Sequence, residues 1–297
     1  LLMQDSQNLS PDIVVALTLA ARATQRLTIG TAVTNLVTRN PAVVAGAFAS
    51  LDLISGARAM IGVARGDTAL KLIGEQPPTM SHFADLIDRL RIYLRGESVT
   101  IDGSSSRIAW IDAEQPPAVP ITVFASGPKN LALAARLGDR VTMSLGAEPE
   151  QIAWGLQQVR AVSDVPVGAL IVAATGLPRA ELREYVRGNA SISTHFRRDA
   201  QNVLNAADRA VVQAVDHDYE LYGHSGHGSQ QAQDLPAAFL DRFCVIGDAS
   251  ECAERLRELI GLGLDHVIIV GGGLDADPGQ RLAMDSRFAR TVLPLLR

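Results

Sequence analysis

Cysteine is nearly absent. The chain has two, Cys244 and Cys252, with neither CxxC spacing nor a histidine at metal-ligand distance in sequence. That pattern excludes a disulfide scaffold and a zinc ribbon and reads as two buried thiols in a reduced cytosol. Lysine is rarer than arginine, with Lys71 and Lys129 the only two; we read this as the codon bias of a GC-rich genome. Aromatic residues make up 4% of the chain, and no basic cluster or stacking platform is visible. With a net charge of -5, the sequence excludes a nucleic-acid binder, which needs a basic face. Long apolar runs are missing too: none approaches the roughly 18 residues of a membrane helix. No basic segment, apolar h-region or cleavage site marks a signal peptide. A cytoplasmic protein with no membrane and no nucleic-acid partner is the expectation.

What is present is a repeated unit. Hydrophobic residues are 47% and charged residues 20% of 297, the balance of a globular protein with a large core. The stretch 27–67, LTIGTAVTNLVTRNPAVVAGAFASLDLISGARAMIGVARGD, sets the pattern. An apolar strand runs into small residues, a helix follows with Asn40 as cap and Pro41 at its first position, and a second apolar strand stops at Arg65-Gly66-Asp67. Strands of this kind recur near residues 1, 120, 140, 167 and 267, each of the first six followed by helix. Alternating βα units with near-continuous apolar strands predict a parallel sheet.

Seven units and a sequence that opens directly on a strand predict an α/β fold of the (β/α)8 TIM-barrel type, a single domain over residues 1–297 whose first strand and helix are missing from this sequence. A hairpin insertion is expected around Asp102-Gly103 within 97–110, and a long polar loop over 216–236. The pattern predicts one long helix over 193–215 and a closing helix over 285–296. Ser10-Pro11-Asp12 reads as a helix start with Ser10 as cap. An open doubly wound sheet would need G-x-G-x-x-G after a strand, and none is found there.

In a barrel, ligands sit at the carboxyl ends of the strands. Those ends carry Asp5-Ser6-Gln7, 32–35, 65–68, 125–128, Ser144-Leu145-Gly146, 173–175 and Gly271-Gly272. Small residues and hydroxyls dominate, with no nucleophile–base pair and no metal cluster. Such a rim suits an organic cofactor that carries the chemistry itself. Ser126 and Gly127 open a helix, where free N–H groups favour a phosphate; a plain helix cap explains them as well. Asp67 has the same two readings. Arg39 faces either the rim or solvent. His224 and His227, spaced HxxH in the polar loop, are ligands, general acids or loop residues; without a third ligand they make no metal site. His82, His195 and His266 read as ordinary helix and strand-edge residues.

Three stretches carry a resemblance: 29–74, IGTAVTNLVTRNPAVVAGAFASLDLISGARAMIGVARGDTALKLIG; 120–141, PITVFASGPKNLALAARLGDRV; and 243–272, FCVIGDASECAERLRELIGLGLDHVIIVGG. In this order and spacing the chain resembles the luciferase-like superfamily of flavin- and F420-dependent oxidoreductases, nearest to its methylenetetrahydromethanopterin reductase-like branch. The resemblance implies a TIM barrel holding coenzyme F420 or FMN at the strand ends. It implies a non-prolyl cis peptide at Ala32–Val33 behind the ring. It places Ala32, Val33, Thr34, Gly66, Asp67 and Thr68 beside the ring, Ala125, Ser126 and Gly127 near a phosphate, and Ser144 and Gly146 as further contacts. Many deazaflavin-using members carry Asp-His where this chain has Asp5-Ser6-Gln7, so the usual acid–base histidine is missing. Asp5, Gln7, His224 or His227 would then have to serve for proton transfer. The implied activity is hydride transfer with a small organic substrate; an FMN-dependent monooxygenase fed by a flavin reductase is the alternative, and a non-catalytic flavin-binding paralogue a second. A homodimer is implied as well.

Overall fold

The computed structural model describes residues 1–296, without the side chains of Gln201 and Asn202. The chain divides into two compact units, residues 1–124 with 136–140, and residues 125–135 with 141–296.

The first unit holds β1 (Leu2–Met3), α1 (Ile13–Ala23), β2 (Ile29–Thr31), α2 (Pro41–Ser55), β3 (Ala59–Val63), α3 (Thr68–Lys71), α4 (Met80–Leu94), β4 (Val99–Ile101), β5 (Ser104–Ser106) and β6 (Ile121–Ala125). β1, β2, β3 and β6 are parallel neighbours in that order, with Leu2 opposite Gly30, Ile29 opposite Ala59 and Ile61 opposite Ile121. β3 is buried along its whole length, as a strand covered on both faces must be. A Cβ on Gly62 would lie 2.0 Å from the Thr31 carbonyl oxygen, so only glycine admits this approach. β4 and β5 form the expected antiparallel hairpin, turning at Asp102 and Gly103 with positive φ. Asn40 caps α2 by accepting from Ala42 N, with Pro41 first in the helix. The cap of α1 differs from expectation. Asp12 accepts from Val14 N and Val15 N, whereas Ser10 Oγ is spent on Ser6 O. Asp12 stands directly before the helix, where one carboxylate oxygen, Oδ1, takes both N–H groups while Oδ2 accepts from Arg39 Nη2, and this displaces the hydroxyl.

The second unit follows with α5 (Pro128–Leu137), β7 (Arg140–Met143), α6 (Pro149–Arg160), β8 (Val167–Thr175), α7 (Arg179–His195), α8 (Ala206–His217), α9 (Gln230–Gln233), α10 (Ala237–Phe243), β9 (Val245–Gly247), α11 (Ala249–Gly261), β10 (His266–Val270) and α12 (Pro278–Thr291). β8 is the longest strand. It pairs in parallel with β7, with β10 over 168–172 and with β9 over 173–175. His266 is not a plain edge residue. Its Nε2 lies 2.9 Å from Thr142 Oγ1, and its ring takes the space that a Cβ on Gly168 would fill.

The helix expected over 193–215 is broken. α7 runs on to His195, a 3₁₀ turn spans Phe196–Val203 with a kink at Ala200, and α8 restarts behind Asn205, whose side chain accepts from Asp208 N. A good N-cap inside an apolar-periodic stretch starts a new helix. The closing helix begins at Pro278, not 285, because Asp277 accepts from Gln280 N.

The polar stretch 216–236 is packed rather than open. Gln231 is fully buried, accepting from Glu220 N at 3.2 Å and donating to Gly223 O at 3.1 Å. Ser225 Oγ accepts from Leu274 N. The helices 179–243 share a core in which Tyr185, Val186, Val215, Leu235, Phe239 and Phe243 meet Val172 and Ala174 of β8. Replacing Gln231 by Leu removes the partners of buried main-chain groups, at about 1–3 kcal/mol. A lowered urea midpoint and faster proteolytic cutting within 216–236 are the expected outcomes, read by denaturation and limited proteolysis.

Candidate functional site

At the strand ends of the first unit the ladder continues past the regular strands. Ala32 N donates to Met3 O at 2.8 Å, Asp5 N to Val33 O at 3.1 Å, Thr34 N to Gly62 O at 2.9 Å and Ala64 N to Thr34 O at 3.1 Å. Residues 32–34 are therefore strung between the end of β1 and the end of β3. Within them the Ala32–Val33 peptide is cis. Ala32, Val33, Ala64 and Gly66 are half-buried, and together they make a ledge of main chain and small side chains.

Beneath the ledge lies Asp5. Its buried carboxylate accepts from Thr34 Oγ1 at 2.6 Å, from Arg39 Nε at 2.7 Å and from Arg39 Nη2 at 3.1 Å. Arg39 Nη2 also reaches Asp12 Oδ2 at 2.8 Å. Hydrogen bonding to Asp5 raises the Arg39 guanidinium above its ordinary range, and the bond from Arg39 holds Asp12 below the usual carboxylate range. Arg39 thus faces this cluster. Asp5 and Thr34, 29 residues apart, are brought together by parallel pairing of β1 and β2.

Gln7 is exposed and donates to Ala69 O at 2.7 Å. Gly66 has φ +88°, and a Cβ there would meet Leu70 and Asn35. Asp67 precedes α3 without a side-chain cap bond; its carboxylate pairs with Lys71 Nζ at 2.7 Å. Thr68 is buried beside it. Ser6, next to Asp5, is buried, and its hydroxyl lacks a partner. An unsatisfied hydroxyl at a strand end is what a polar ligand edge would complete. With the half-buried main chain of 32–33, 64 and 66, it makes these residues fit a planar heterocyclic cofactor. A lone serine between two candidates carries no sequence signal of its own.

In the second unit Ala125 O accepts from Ser144 N at 3.1 Å, and Gly127 O from Leu131 N, closing the first turn of α5. This helix start is covered. Ser126 Oγ donates to Phe196 O at 2.6 Å, and a Cβ on Gly127 would lie 2.6 Å from Asp199 Cβ. Gly146, with φ +80°, lies under the Phe243 ring.

The two loop histidines part company. His227 is exposed, and its Nδ1 lies 2.6 Å from Asp275 Oδ2. His224 Nδ1 meets the Tyr219 hydroxyl. Tyr219 stacks on the buried His195 with ring centroids 3.7 Å apart, and His195 Nδ1 lies 2.8 Å from Asp216 Oδ1. The cluster His195–Asp216–Tyr219–His224 gathers residues up to 29 positions apart, so no local periodicity reveals it.

Comparison with known proteins identifies the family and the fold. Residues 1–266 match the family model of the luciferase-like monooxygenases. The chain is 28% identical to the 5,10-methylenetetrahydromethanopterin reductase of Methanolobus tindarius over 86% of this chain and 81% of that one. It is 27% identical to the F420-dependent glucose-6-phosphate dehydrogenase of Beutenbergia cavernae over 94% and 81%. Among solved structures, the coenzyme F420-dependent tetrahydromethanopterin reductase of Methanopyrus kandleri superposes with a TM-score of 0.76 at 20% identity, covering 99% of this chain and 90% of that one. That likeness establishes the fold class, the TIM-barrel-like α/β fold expected from the strand count. Strand order, rim composition and a match over most of its length together place this chain in the luciferase-like monooxygenase family.

Proposed function

We propose that the protein is a flavin- or deazaflavin-dependent oxidoreductase that uses coenzyme F420 or FMN to exchange a hydride with a small organic substrate. The observation that carries this reading is the ledge of residues 32–34 and 64–66, with Asp5, Thr34 and Arg39 locked beneath it and the unsatisfied Ser6 hydroxyl at its edge. The relatives named above, two of them F420-dependent by name, support the deazaflavin. When bound, such a cofactor supplies the hydride acceptor or donor.

The chain's residues then have separable tasks. Ala32, Val33 and Thr34 back the ring, with Gly66, Asp67 and Thr68 beside it. Asp5 anchors Thr34 and Arg39 through three hydrogen bonds, two on Oδ2 and one on Oδ1. Ser6 Oγ donates to or accepts from a polar ring edge. Ala125, Ser126 and Gly127, with Ser144 and Gly146, are not assigned the expected phosphate contacts, because Ser126 Oγ is spent on Phe196 O, Gly127 packs against Asp199 and Gly146 lies under Phe243. Gln7 holds the start of α3 through Ala69 O. Of the two loop histidines, His224 is the proton-transfer candidate, because Tyr219 orients its ring, whereas His227 faces solvent beside Asp275. An FMN-dependent monooxygenase supplied by a separate flavin reductase is the second reading, favoured by the family model.

The outer faces of α1 and α2 carry exposed Val15, Leu19, Val43 and Leu53, an apolar surface of the kind a partner covers. We assign it to a homodimer.

Fluorescence titration of the purified protein with F420 and with FMN should give saturable binding of one of them; binding of neither overturns the oxidoreductase reading. With the cofactor and substrate in hand, His224→Ala should lower kcat about 10²-fold or more with a small change in KM, the size of a lost general acid or base. Sedimentation equilibrium should give twice the chain mass, and Leu19→Glu should give the monomer.

A further inference from the structure

Arg197 is fully buried in the 3₁₀ turn after α7. A guanidinium presents five N–H donors, yet Nε, Nη1 and Nη2 all lack a hydrogen-bond partner. The nearest carboxylate oxygen, Glu148 Oε2, is 3.6 Å from Nη2, beyond hydrogen-bond reach. Glu148 leans toward Arg242 instead, with 3.2 Å between Oε1 and Nε, so one carboxylate serves two guanidiniums. On its flat face Arg197 has an aromatic neighbour, its Cζ 5.2 Å from the centroid of the Phe243 ring. Burial pushes the guanidinium below the ordinary arginine range. Buried charge is tolerated when it is paired and hydrogen-bonded, and here half of that condition is unmet.

Acceptors around it are unmet too. Glu148 Oε2 and Gln151 Oε1 are buried without hydrogen-bond partners. Both residues sit at the start of α6, and Gln151 Nε2 donates to Val203 O at 3.0 Å, which docks that turn on the segment carrying Arg197. A structural ion pair would have closed its gap and left no acceptors over. The place is also that of a ligand. Phe196, the preceding residue, accepts from Ser126 at the end of β6, and Phe243 covers Gly146 at the end of β7. In parallel α/β folds, ligands bind at the strand carboxyl ends.

We propose that Arg197 is an anion-recognition residue: its guanidinium receives a carboxylate or phosphate group, while Glu148 and Gln151 accept from hydroxyl or amide donors next to that group. The inference rests on the oxidoreductase reading only in naming the carrier of the anion, which is the cofactor's acidic tail or the substrate.

Inorganic phosphate and acetate serve as probes on the full chain, with chloride at matched ionic strength as control. Melting temperature and calorimetric titration are compared for the wild type, Arg197→Met and Arg197→Lys. Phosphate or acetate should raise the wild-type Tm with a saturable dose response. Arg197→Met should melt no lower than the wild type without anion, since an apolar chain removes an unsatisfied buried charge, and should lose the response. Arg197→Lys should keep a response at least tenfold weaker. F420 and FMN titrations then assign the carrier: a tenfold loss of cofactor affinity in Arg197→Met identifies the cofactor tail, and an unchanged affinity identifies the substrate. A wild type without saturable response to either anion, a response retained in Arg197→Met, or an undiminished one in Arg197→Lys overturns the proposal. A wild type that responds to phosphate but binds neither cofactor overturns the oxidoreductase reading and leaves the anion site standing.

Discussion

The Asp5 carboxylate is the constraint on which the rim of the first unit depends. It takes two hydrogen bonds from Arg39 and one from Thr34, and its own main-chain N–H reaches Val33 O. One buried anion therefore fixes the end of β1, the segment leaving β2 and the residue just before the cap of α2. A charge-assisted, two-pronged contact with Arg39 sets direction as well as distance. Arg39 extends the same arrangement to Asp12 at the start of α1. The ledge above is held by this buried cluster and by its own main-chain bonds.

This use of Asp5 changes how the missing histidine reads. A carboxylate that holds Thr34 and Arg39 in place serves as an anchor. The cluster of His195, Asp216, Tyr219 and His224 in the second unit supplies titratable groups held in fixed orientation by stacking and hydrogen bonds. The same helical region carries Arg197 and its unmet donors. Residues 179–243 thus hold both of these polar clusters of the second unit.

Much of the architecture was legible because it follows from local rules. Period-2 and continuous apolar patterning marks the strands, Asn40-Pro41 marks a helix start, and Asp102-Gly103 marks a hairpin turn. Misreadings fell where two local signals compete. Asp12 outbid Ser10 as a cap because a carboxylate satisfies two N–H groups at once. The stretch 193–215 kept helical periodicity across a break that Asn205 imposes. The polar segment 216–236 looked open because its packing runs through one buried amide, Gln231, which composition cannot distinguish from a solvated one.

The sequence by itself determined the order of βα units, the small-residue character of the strand ends and membership of the family, since each is written in contiguous residues. Only the tertiary structure decided which of those residues meet. That Asp5 lies under Thr34, that Tyr219 stacks on His195, and that Arg197 is buried without hydrogen bonds are all consequences of parallel pairing and helix packing between distant segments. Burial of a charge costs free energy in proportion to what surrounds it, and the surroundings exist only in the folded chain.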